Sequence, residues 1–317
     1  MRVKSAIAKM SMSKFEKMTI NITKQFNSLD DALNSLFGGG QIAKKEPVAG
    51  GDINQAYKLT LNDGTAVFLK TNSQACADFF AAEAVGLSAI AETGAIGVPQ
   101  VLAYGCTAGD SFLLMEYVHN SRRNVRYWET FGQQLAAMHT ADTKKIVSGS
   151  CFGFMQNNYI GMRQQINTPY AKWCDFFRDC RLAPQFQQAK SYFDKNDLIR
   201  IDKLVAHSDN YLVEPEVPAL LHGDLWSGNF ITGNDGWAWL IDPAVYVGHA
   251  EADIAMTELF GGFPADFYAA YNEVAPLQPG YKQRRDLYNL YHLLNHLNMF
   301  GGSYLGAVKT IIQKYAK

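Results

Sequence analysis

Residues 222–229 read His-Gly-Asp-Leu-Trp-Ser-Gly-Asn, a short polar stretch between two apolar runs. Leu220-Leu221 leads into it, and Phe230-Ile231 leads out of it. A turn signal follows at residues 233–236, and a second apolar run ends at Asp242. This succession of apolar runs and turn residues predicts a β-hairpin with polar side chains at its open end.

The pairing of this hairpin brings polar side chains together. If residues 233–236 form the loop, Asn229 faces Leu240. Asp242 then lies two residues farther along the strand, about 7 Å away. We therefore predict Asn229 and Asp242 at the same end of the hairpin, beside Asp224 on the loop that leads into it.

Three oxygen-bearing side chains at one place suit phosphoryl transfer. An aspartate can orient a substrate hydroxyl and accept its proton, while an amide oxygen and a carboxylate hold Mg²⁺ against nucleotide phosphates. Because Mg²⁺ keeps several waters, one asparagine and one aspartate suffice as protein ligands. The alternative is a surface hairpin in which these side chains only cap turns. That alternative accounts for neither the spacing nor the apolar flanks.

A lysine and a glutamate near the N-terminus form a second pattern. Lys70 ends an apolar strand in a hairpin that follows a glycine turn at Gly50-Gly51. Glu83 lies on the otherwise apolar face of the next predicted helix, where an unpaired carboxylate would be costly to bury. We predict a Lys70–Glu83 ion pair that holds the lysine toward nucleotide phosphates, with Gly51 in a loop that closes over them. The alternative is a strand-end lysine that reaches water.

The composition is that of a globular protein without a strong charge bias. The chain has 317 residues, 48% hydrophobic and 19% charged, and 29 basic residues oppose 30 acidic ones. This balance argues against a dedicated binder of nucleic acid or anionic membranes. The five cysteines include no CxxC pair, which predicts free thiols in a reducing cytoplasm. We expect a cytoplasmic monomer without a membrane span.

The patterns divide the chain into three parts. Residues 1–20 are expected to form a leader. Residues 21–118 are expected to form a small nucleotide-binding lobe with an antiparallel sheet and a helix. Residues 119–317 are expected to form a mostly helical lobe that carries the 222–229 loop and the substrate site. The predicted fold class is therefore α+β, with two lobes.

Several of these segments resemble a known family. The order of Lys70, Glu83, a connector at residues 115–118, the 222–229 loop and Asp242 is similar to the protein-kinase-like fold. The pattern HGDxxxxN alone marks the wider group, which includes aminoglycoside and choline kinases. More specific segments resemble the fructosamine kinase (ketosamine-3-kinase) family, and the similarity runs from about Phe37 to the C-terminus. These segments are HGDLWSGN, residues 242–249, 251–256, 173–177 and the Leu-Phe-Gly-Gly-Phe run at 259–263.

The resemblance implies roles for the polar residues of the second lobe. Asp224 would be the catalytic base, and Asn229 and Asp242 would bind Mg²⁺. The substrate would be a sugar-derived ketosamine on a free amine or on a protein lysine. ATP would phosphorylate its C3 hydroxyl, and the product would break down and release the amine, which amounts to deglycation.

The resemblance also implies an ATP site in the first lobe. Lys70, supported by Glu83, would contact the phosphates of ATP. Glu116, Tyr117 and Val118 would form a hinge whose backbone hydrogen-bonds adenine.

Other polar and aromatic residues have both functional and structural interpretations. Trp226 and His249 are candidates for the wall of the sugar pocket, with simple packing as the alternative. His222 is expected to orient the loop by side-chain hydrogen bonds, and Asp253 to accept hydrogen bonds from loop N–H groups. His139 is expected to pack at the end of a helix.

Two competing functions remain open from the sequence. One is phosphotransfer to a cationic acceptor of the aminoglycoside or choline type, which usually needs an acidic pocket. The other is nucleotide binding without catalysis, which predicts the loss of a catalytic group. The sequence retains Lys70, Glu83, Asp224, Asn229 and Asp242.

Overall fold

The computed structural model describes residues 25–49, 54–73, 77–106, 110–144, 146–147 and 151–316. The expected leader at residues 1–20 and Gly51 lie outside these ranges. The chain divides into two compact units. Within the described residues, the first unit runs to Ser88 and resumes at Gln100–Val118, and the second comprises Ala89–Pro99 and the residues from His119 onward.

The described part of the first unit is built on a six-stranded sheet in the order β1-β5-β6-β4-β3-β2. Only the β1–β5 pair among these strands is parallel. Helix α1 (Leu29–Phe37) follows β1, and helix α2 (Ala77–Thr93) follows β4. The strands are β1 (Gln25–Phe26), β2 (Ile42–Pro47), β3 (Gln55–Leu61), β4 (Ala66–Ser73), β5 (Val101–Cys106) and β6 (Asp110–Glu116).

Local signals explain how the elements of the first unit begin and end. The Ser28 hydroxyl accepts a hydrogen bond from the Asp31 N–H at 3.0 Å and caps α1, which stops at Gly38 in the left-handed conformation. The Asp63 carboxylate accepts from the Thr65 N–H at 2.9 Å in the turn between β3 and β4. Alternate residues of the two strands then face a buried core formed by Leu59, Leu61, Val67, Leu69, Phe112 and Leu114.

The second unit is mostly helical. Its described helices are α3 (Tyr127–His139), α4 (Trp173–Phe176), α5 (Ala183–Gln188), α6 (Lys195–Ala206), α7 (Glu251–Leu259), α8 (Ala265–Val274), α9 (Tyr281–Phe300) and α10 (Leu305–Tyr315). A π-helix at Phe177–Leu182 joins α4 to α5. Helices α3 and α8 approach closely at Gly132, where a Cβ atom would lie 2.3 Å from the Phe267 carbonyl oxygen.

Short strands in the second unit carry the 222–229 loop. Strand β9 (Ala219–Leu221) pairs with β12 (Tyr246–Gly248), and β10 (Phe230–Thr232) pairs with β11 (Ala238–Leu240), both antiparallel. A further hairpin consists of β7 (Asn158–Ile160) and β8 (Arg163–Gln165). Among the described residues, no helix combines the length and apolar character needed to cross a bilayer. The predicted α+β class is confirmed.

Candidate active site

The 222–229 loop leaves β9 through a position that only glycine can occupy. Gly223 has φ +82°, and a Cβ atom there would lie 2.1 Å from the Ala244 carbonyl oxygen. The Ala244 N–H donates to the His222 carbonyl at 2.8 Å. The loop backbone is therefore fixed against the segment that follows Asp242.

The β10–β11 hairpin differs from the predicted pairing by one residue. Phe230, not Asn229, pairs with Leu240, so the prediction for Asn229 was wrong in register. The Gly233 N–H donates to the Trp237 carbonyl at 2.8 Å, and Gly236 has φ +77°. The loop thus has three residues and ends in a left-handed glycine, a common hairpin type that the four-residue reading overlooked.

Asn229 and Asp224 are in direct contact at the end of this hairpin. The Asn229 Nδ2 group donates to the Asp224 carbonyl at 2.8 Å and to its Oδ2 at 3.0 Å. The Ile241 N–H donates to the Asn229 carbonyl at 3.0 Å, so Asp242 follows one residue beyond the partner of Asn229. Asn229 and Asp242 thus lie at the same end of the hairpin, as predicted, but Asp242 is one residue beyond the partner of Asn229 and not two.

Asp242 occupies an unusual backbone conformation. Its φ is +55°, in the left-handed region where aspartate and asparagine are tolerated better than most residues. Such conformations cost free energy and often occur at functional sites.

The pKa of the Asp224 carboxyl group lies well above that of an ordinary aspartate. Burial, with a smaller contribution from the nearby charges of Asp242 and Asp253, raises the pKa of Asp224 to about 7 against the opposing hydrogen bond from Asn229. The side chain is 24% exposed, so it is shielded without being closed off. His292 Nδ1 lies 3.9 Å from Asp224 Oδ1, but burial lowers the pKa of His292 to about 3. His292 is therefore a neutral neighbour of Asp224 near pH 7.

Asp253 holds the backbone of the loop directly before Asp224. Its Oδ2 accepts from the His222 N–H at 2.7 Å, and its Oδ1 accepts from the Gly223 N–H at 2.9 Å. His222 completes the arrangement, because its Nε2 donates to the Ile241 carbonyl at 2.9 Å and its Nδ1 accepts from the Asp224 N–H at 3.3 Å. The predicted bracing by Asp253 and the predicted orienting bonds of His222 are confirmed.

The donor set near Asp224 fits a hard cation. Both contacts of the Asn229 amide to Asp224 use Nδ2, which leaves Oδ1 as the atom suited to ligate a metal. The Asp242 carboxylate would be a second oxygen ligand. In the ranges that the structure describes, no group of three or more His, Cys, Asp and Glu could hold a metal ion. Amide and carboxylate oxygens are the kind of ligand that Mg²⁺ takes from proteins.

In the first unit, Lys70 and Glu83 form the predicted ion pair. Lys70 Nζ lies 2.6 Å from Glu83 Oε1, and the two side chains are 11% and 8% exposed. Lys70 lies on β4, where it pairs with Ala56 on β3 and Leu113 on β6. The pair joins α2 to the middle of the sheet.

The predicted hinge follows β6. The Glu116 N–H donates to the Gln100 carbonyl at 2.8 Å, and burial raises the pKa of the Glu116 carboxyl. The Tyr117 ring lies 4.7 Å from Lys58 Nζ. Glu116, Tyr117 and Val118 are all partly buried.

The two candidates for the sugar pocket have different surroundings. Trp226 is 37% exposed and packs edge-to-face with Phe260 at 6.2 Å. His249 is buried, its Nε2 lies 2.8 Å from Gln278 Oε1, and its Nδ1 accepts from the Glu251 N–H at 3.2 Å. Trp226 is accessible to a ligand, whereas a substrate contact for His249 stays an untested prediction.

The buried His249 predicts a pH effect on stability. Burial lowers the pKa of His249, against the opposing effect of Glu251, so the folded state keeps the ring neutral while the unfolded chain protonates it near pH 6.5. The unfolded state then binds more protons, and stability falls below pH 6.5 by at most about 1.4 kcal/mol per pH unit for this group. His249→Gln should flatten the dependence, as measured by urea unfolding from pH 7.5 to 5.5.

The exposed His207 supplies the matched control for this substitution. An unchanged slope in His249→Gln would show that the ring is not the linked group. The same variant also tests the substrate prediction. If His249 contacts the sugar, the loss of that contact in His249→Gln should raise KM for the acceptor.

An aromatic cluster continues from Phe260. His296 lies 5.1 Å from the Phe260 ring, 5.5 Å from Phe300 and 5.0 Å from Tyr304. The helical spacing of His292, His296 and Phe300 places all three on one face of α9.

Comparisons with known proteins identify the family of this chain. Residues 25–317 match a family model described as fructosamine kinase. A probable ketoamine kinase of Synechocystis sp. is 42% identical over 83% of this chain and 87% of its own length. The chloroplastic protein-ribulosamine 3-kinase of Arabidopsis thaliana is 39% identical over 87% of this chain and 84% of its own. A crystal structure from Haemophilus somnus, provisionally assigned as a fructosamine-3-kinase, has a TM-score of 0.80 with 31% identity and covers 91% of this chain and 96% of its own.

The family match and these relatives show an ATP-dependent phosphotransferase that acts on a hydroxyl group. The chain belongs to the fructosamine kinase family, whose activity is the phosphorylation of ketosamines. The predicted family, enzyme class and general activity are confirmed.

Proposed function

We propose that this protein transfers the γ-phosphate of ATP to the C3 hydroxyl of a ketosamine carried by a free amine or a protein lysine. The resulting 3-phosphate breaks down and releases the amine, so that the reaction reverses glycation. The observation that carries this proposal is Asp224, whose pKa of about 7 is combined with a loop backbone held by Asp253.

Asp224 is the base in this proposal. It orients the C3 hydroxyl and accepts its proton as the oxygen attacks the γ-phosphorus, while the bond to the bridging oxygen breaks and ADP leaves. A base with a pKa near the working pH combines the ionised form with sufficient proton affinity. Asn229 Nδ2 donates to Asp224 Oδ2 and so fixes the orientation of the carboxylate.

Asn229 Oδ1 and the Asp242 carboxylate would hold Mg²⁺. When bound, the ion supplies neutralisation of phosphate charge. The residues fit this role because both Asn229 contacts to Asp224 use Nδ2, so that Asn229 Oδ1 and the Asp242 carboxylate are hard oxygen donors. The carboxylates of Asp242 and Asp224 also repel each other, which adds to the raised pKa of Asp224. A cation offsets that repulsion.

The first unit supplies the nucleotide contacts in this proposal. Lys70, fixed by Glu83, binds phosphate oxygens, and the backbone of Glu116, Tyr117 and Val118 binds adenine. The buried ion pair supports the assignment, because a lysine paired with a carboxylate presents its charge at one position.

Glu83→Gln tests the contribution of the ion pair. Loss of the partner charge leaves Lys70 less well positioned, and we expect kcat/KM for ATP to fall about tenfold. Initial rates at varied ATP measure the change. Glu92→Gln, an exposed substitution on the same helix, is the matched control. Equal rates for the two variants would contradict the role of Glu83.

The acceptor is a sugar in this proposal. The half-exposed Trp226 ring offers an apolar face against which the C–H groups of a sugar can pack. A cationic acceptor of the aminoglycoside or choline type is the alternative outcome.

A substrate panel tests the proposed function. Purified protein is incubated with ATP, Mg²⁺ and one acceptor, and ADP release is measured together with ³¹P NMR of the product. Fructosyl-lysine, ribulosyl-lysine and a glycated protein serve as ketosamines; kanamycin and choline serve as cations. We expect a sugar 3-phosphate from at least one ketosamine. Phosphorylation of the cations alone would overturn the proposal.

We further propose that the protein works in the cytoplasm as a monomer, without nucleic-acid or membrane partners. The near-neutral net charge supports the absence of nucleic-acid partners. Sedimentation of the purified protein measures its oligomeric state.

A further inference from the structure

A network of buried hydrogen bonds extends from Asp253 into the helical unit. His139, at the end of α3, lies with its Nε2 3.2 Å from Asp253 Oδ2. Its Nδ1 lies 2.8 Å from the hydroxyl of Tyr271 on α8. His139, Asp253 and Tyr271 are 2%, 1% and 1% exposed, so water does not compete for these bonds.

Each hydrogen bond of this network is donated toward Asp253. A carboxylate only accepts, so Nε2 of His139 carries the hydrogen and donates to Asp253. A ring with its hydrogen on Nε2 leaves Nδ1 as the acceptor for the Tyr271 hydroxyl. No other partner of that hydroxyl occurs among the described residues. Burial raises the pKa of Tyr271 far above its usual range, which keeps the hydroxyl protonated as a donor.

At its other end the hydrogen-bond network reaches the backbone of the 222–229 loop. Asp253 receives the N–H groups of His222 and Gly223, the two residues directly before Asp224. Burial alone would raise the pKa of Asp253, but the hydrogen bond from His139 and the loop N–H groups outweigh it and lower the pKa. His139 therefore helps to keep the anchor of the loop ionised and in one orientation.

We infer that His139 and Tyr271 are positioning residues for phosphoryl transfer, which act through Asp253 on the placement of Asp224. This inference rests on the proposed function for the identity of the base. Neither residue contacts Asp224, so their effect falls on the geometry of the base. Nucleotide binding should change little.

A set of variants separates the donor role of His139 from its packing. His139→Leu keeps apolar volume but removes the donor, and we expect kcat to fall about tenfold or more with KM for ATP within about threefold. His139→Gln returns an amide donor near the place of Nε2 and should recover most of kcat. If a folded His139→Gln is as slow as His139→Leu, or if His139→Leu keeps kcat within about twofold, the inference is overturned.

Tyr271 provides the test of connectivity. Tyr271→Phe should lower kcat about threefold, whereas Tyr268→Phe, on the same helix, loses hydrogen bonds to Thr257 and Phe263 and should leave kcat unchanged. The double variant His139→Leu/Tyr271→Phe should be no slower than His139→Leu alone, because Tyr271 acts through His139. If the two reductions in kcat multiply in the double variant, Tyr271 does not act through His139 and the inference is overturned.

The order of the measurements keeps the two hypotheses apart. Turnover of a ketosamine by the wild type and its loss in Asp224→Asn test the proposed function first. The network variants are then read on whichever hydroxyl acceptor the panel identifies, because any acceptor depends on the same loop. Thermal unfolding of each variant establishes the folded fraction. If His139→Leu does not fold, the comparison of Tyr271→Phe with Tyr268→Phe decides, and equal kcat values overturn the inference.

Discussion

Replacing Asp224 with asparagine is expected to lower kcat for a ketosamine by about 10³-fold, while the affinity for ATP stays within about threefold. The amide has nearly the same shape as the carboxyl group and can still contact Asn229, but it cannot accept the proton of the C3 hydroxyl. The loss should therefore appear in the chemical step. Single-turnover rates and nucleotide titration of the same protein samples measure the two quantities.

The stability of this variant provides a sign-specific control. The raised pKa means that the folded state keeps the proton on Asp224 up to about pH 7, whereas the unfolded chain loses it at about pH 3.9. Wild-type stability therefore falls between these two pH values, and the full cost is present at pH 8. Without metal, Asp224→Asn should unfold at an equal or higher temperature than the wild type at pH 8. Asp235→Asn, on the exposed turn of the neighbouring hairpin, is the matched control for activity. Wild-type turnover by Asp224→Asn would show that another group is the base.

The local part of the site could be predicted because its information is local in sequence. Residues 222–242 contain a loop, a strand, a turn and a strand in succession, so Asp224, Asn229 and Asp242 had to meet at one end of a hairpin. The register was missed by one residue, because the sequence fits both a four-residue loop and a three-residue loop closed by a left-handed Gly236. The backbone bond between Gly233 and Trp237 decides between them.

The supporting network could not be predicted because its members are far apart in the chain. His139 and Tyr271 are separated by 132 residues, and α3 and α8 meet only in the folded unit. A histidine at a helix end indicates packing, and nothing next to it in sequence identifies Asp253 as its partner. The ring contacts of His249 were likewise out of reach of the sequence, because its partner Gln278 lies 29 residues away.

Replacing Asp242 with asparagine is expected to lower kcat/KM for ATP by about 10²- to 10³-fold, the equivalent of several kcal/mol of cation stabilisation. Asparagine tolerates the left-handed backbone of this position as well as aspartate does, so the change removes charge without adding strain. The His222–Ile241 and Ala244–His222 bonds hold the neighbouring backbone independently of the side chain.

The dependence on Mg²⁺ distinguishes a lost ligand from a general defect. A weakened cation site should shift the Mg²⁺ concentration for half-maximal rate upward, and high Mg²⁺ should restore part of the activity. Asp242→Asn also removes a charge that raises the pKa of Asp224, so the base should ionise at lower pH in this variant. Asp266→Asn, an exposed change at the start of α8, controls for the substitution. An unchanged Mg²⁺ dependence in Asp242→Asn would place the cation on other residues, because a carboxylate that ligates it cannot lose its charge without weakening the ion's binding.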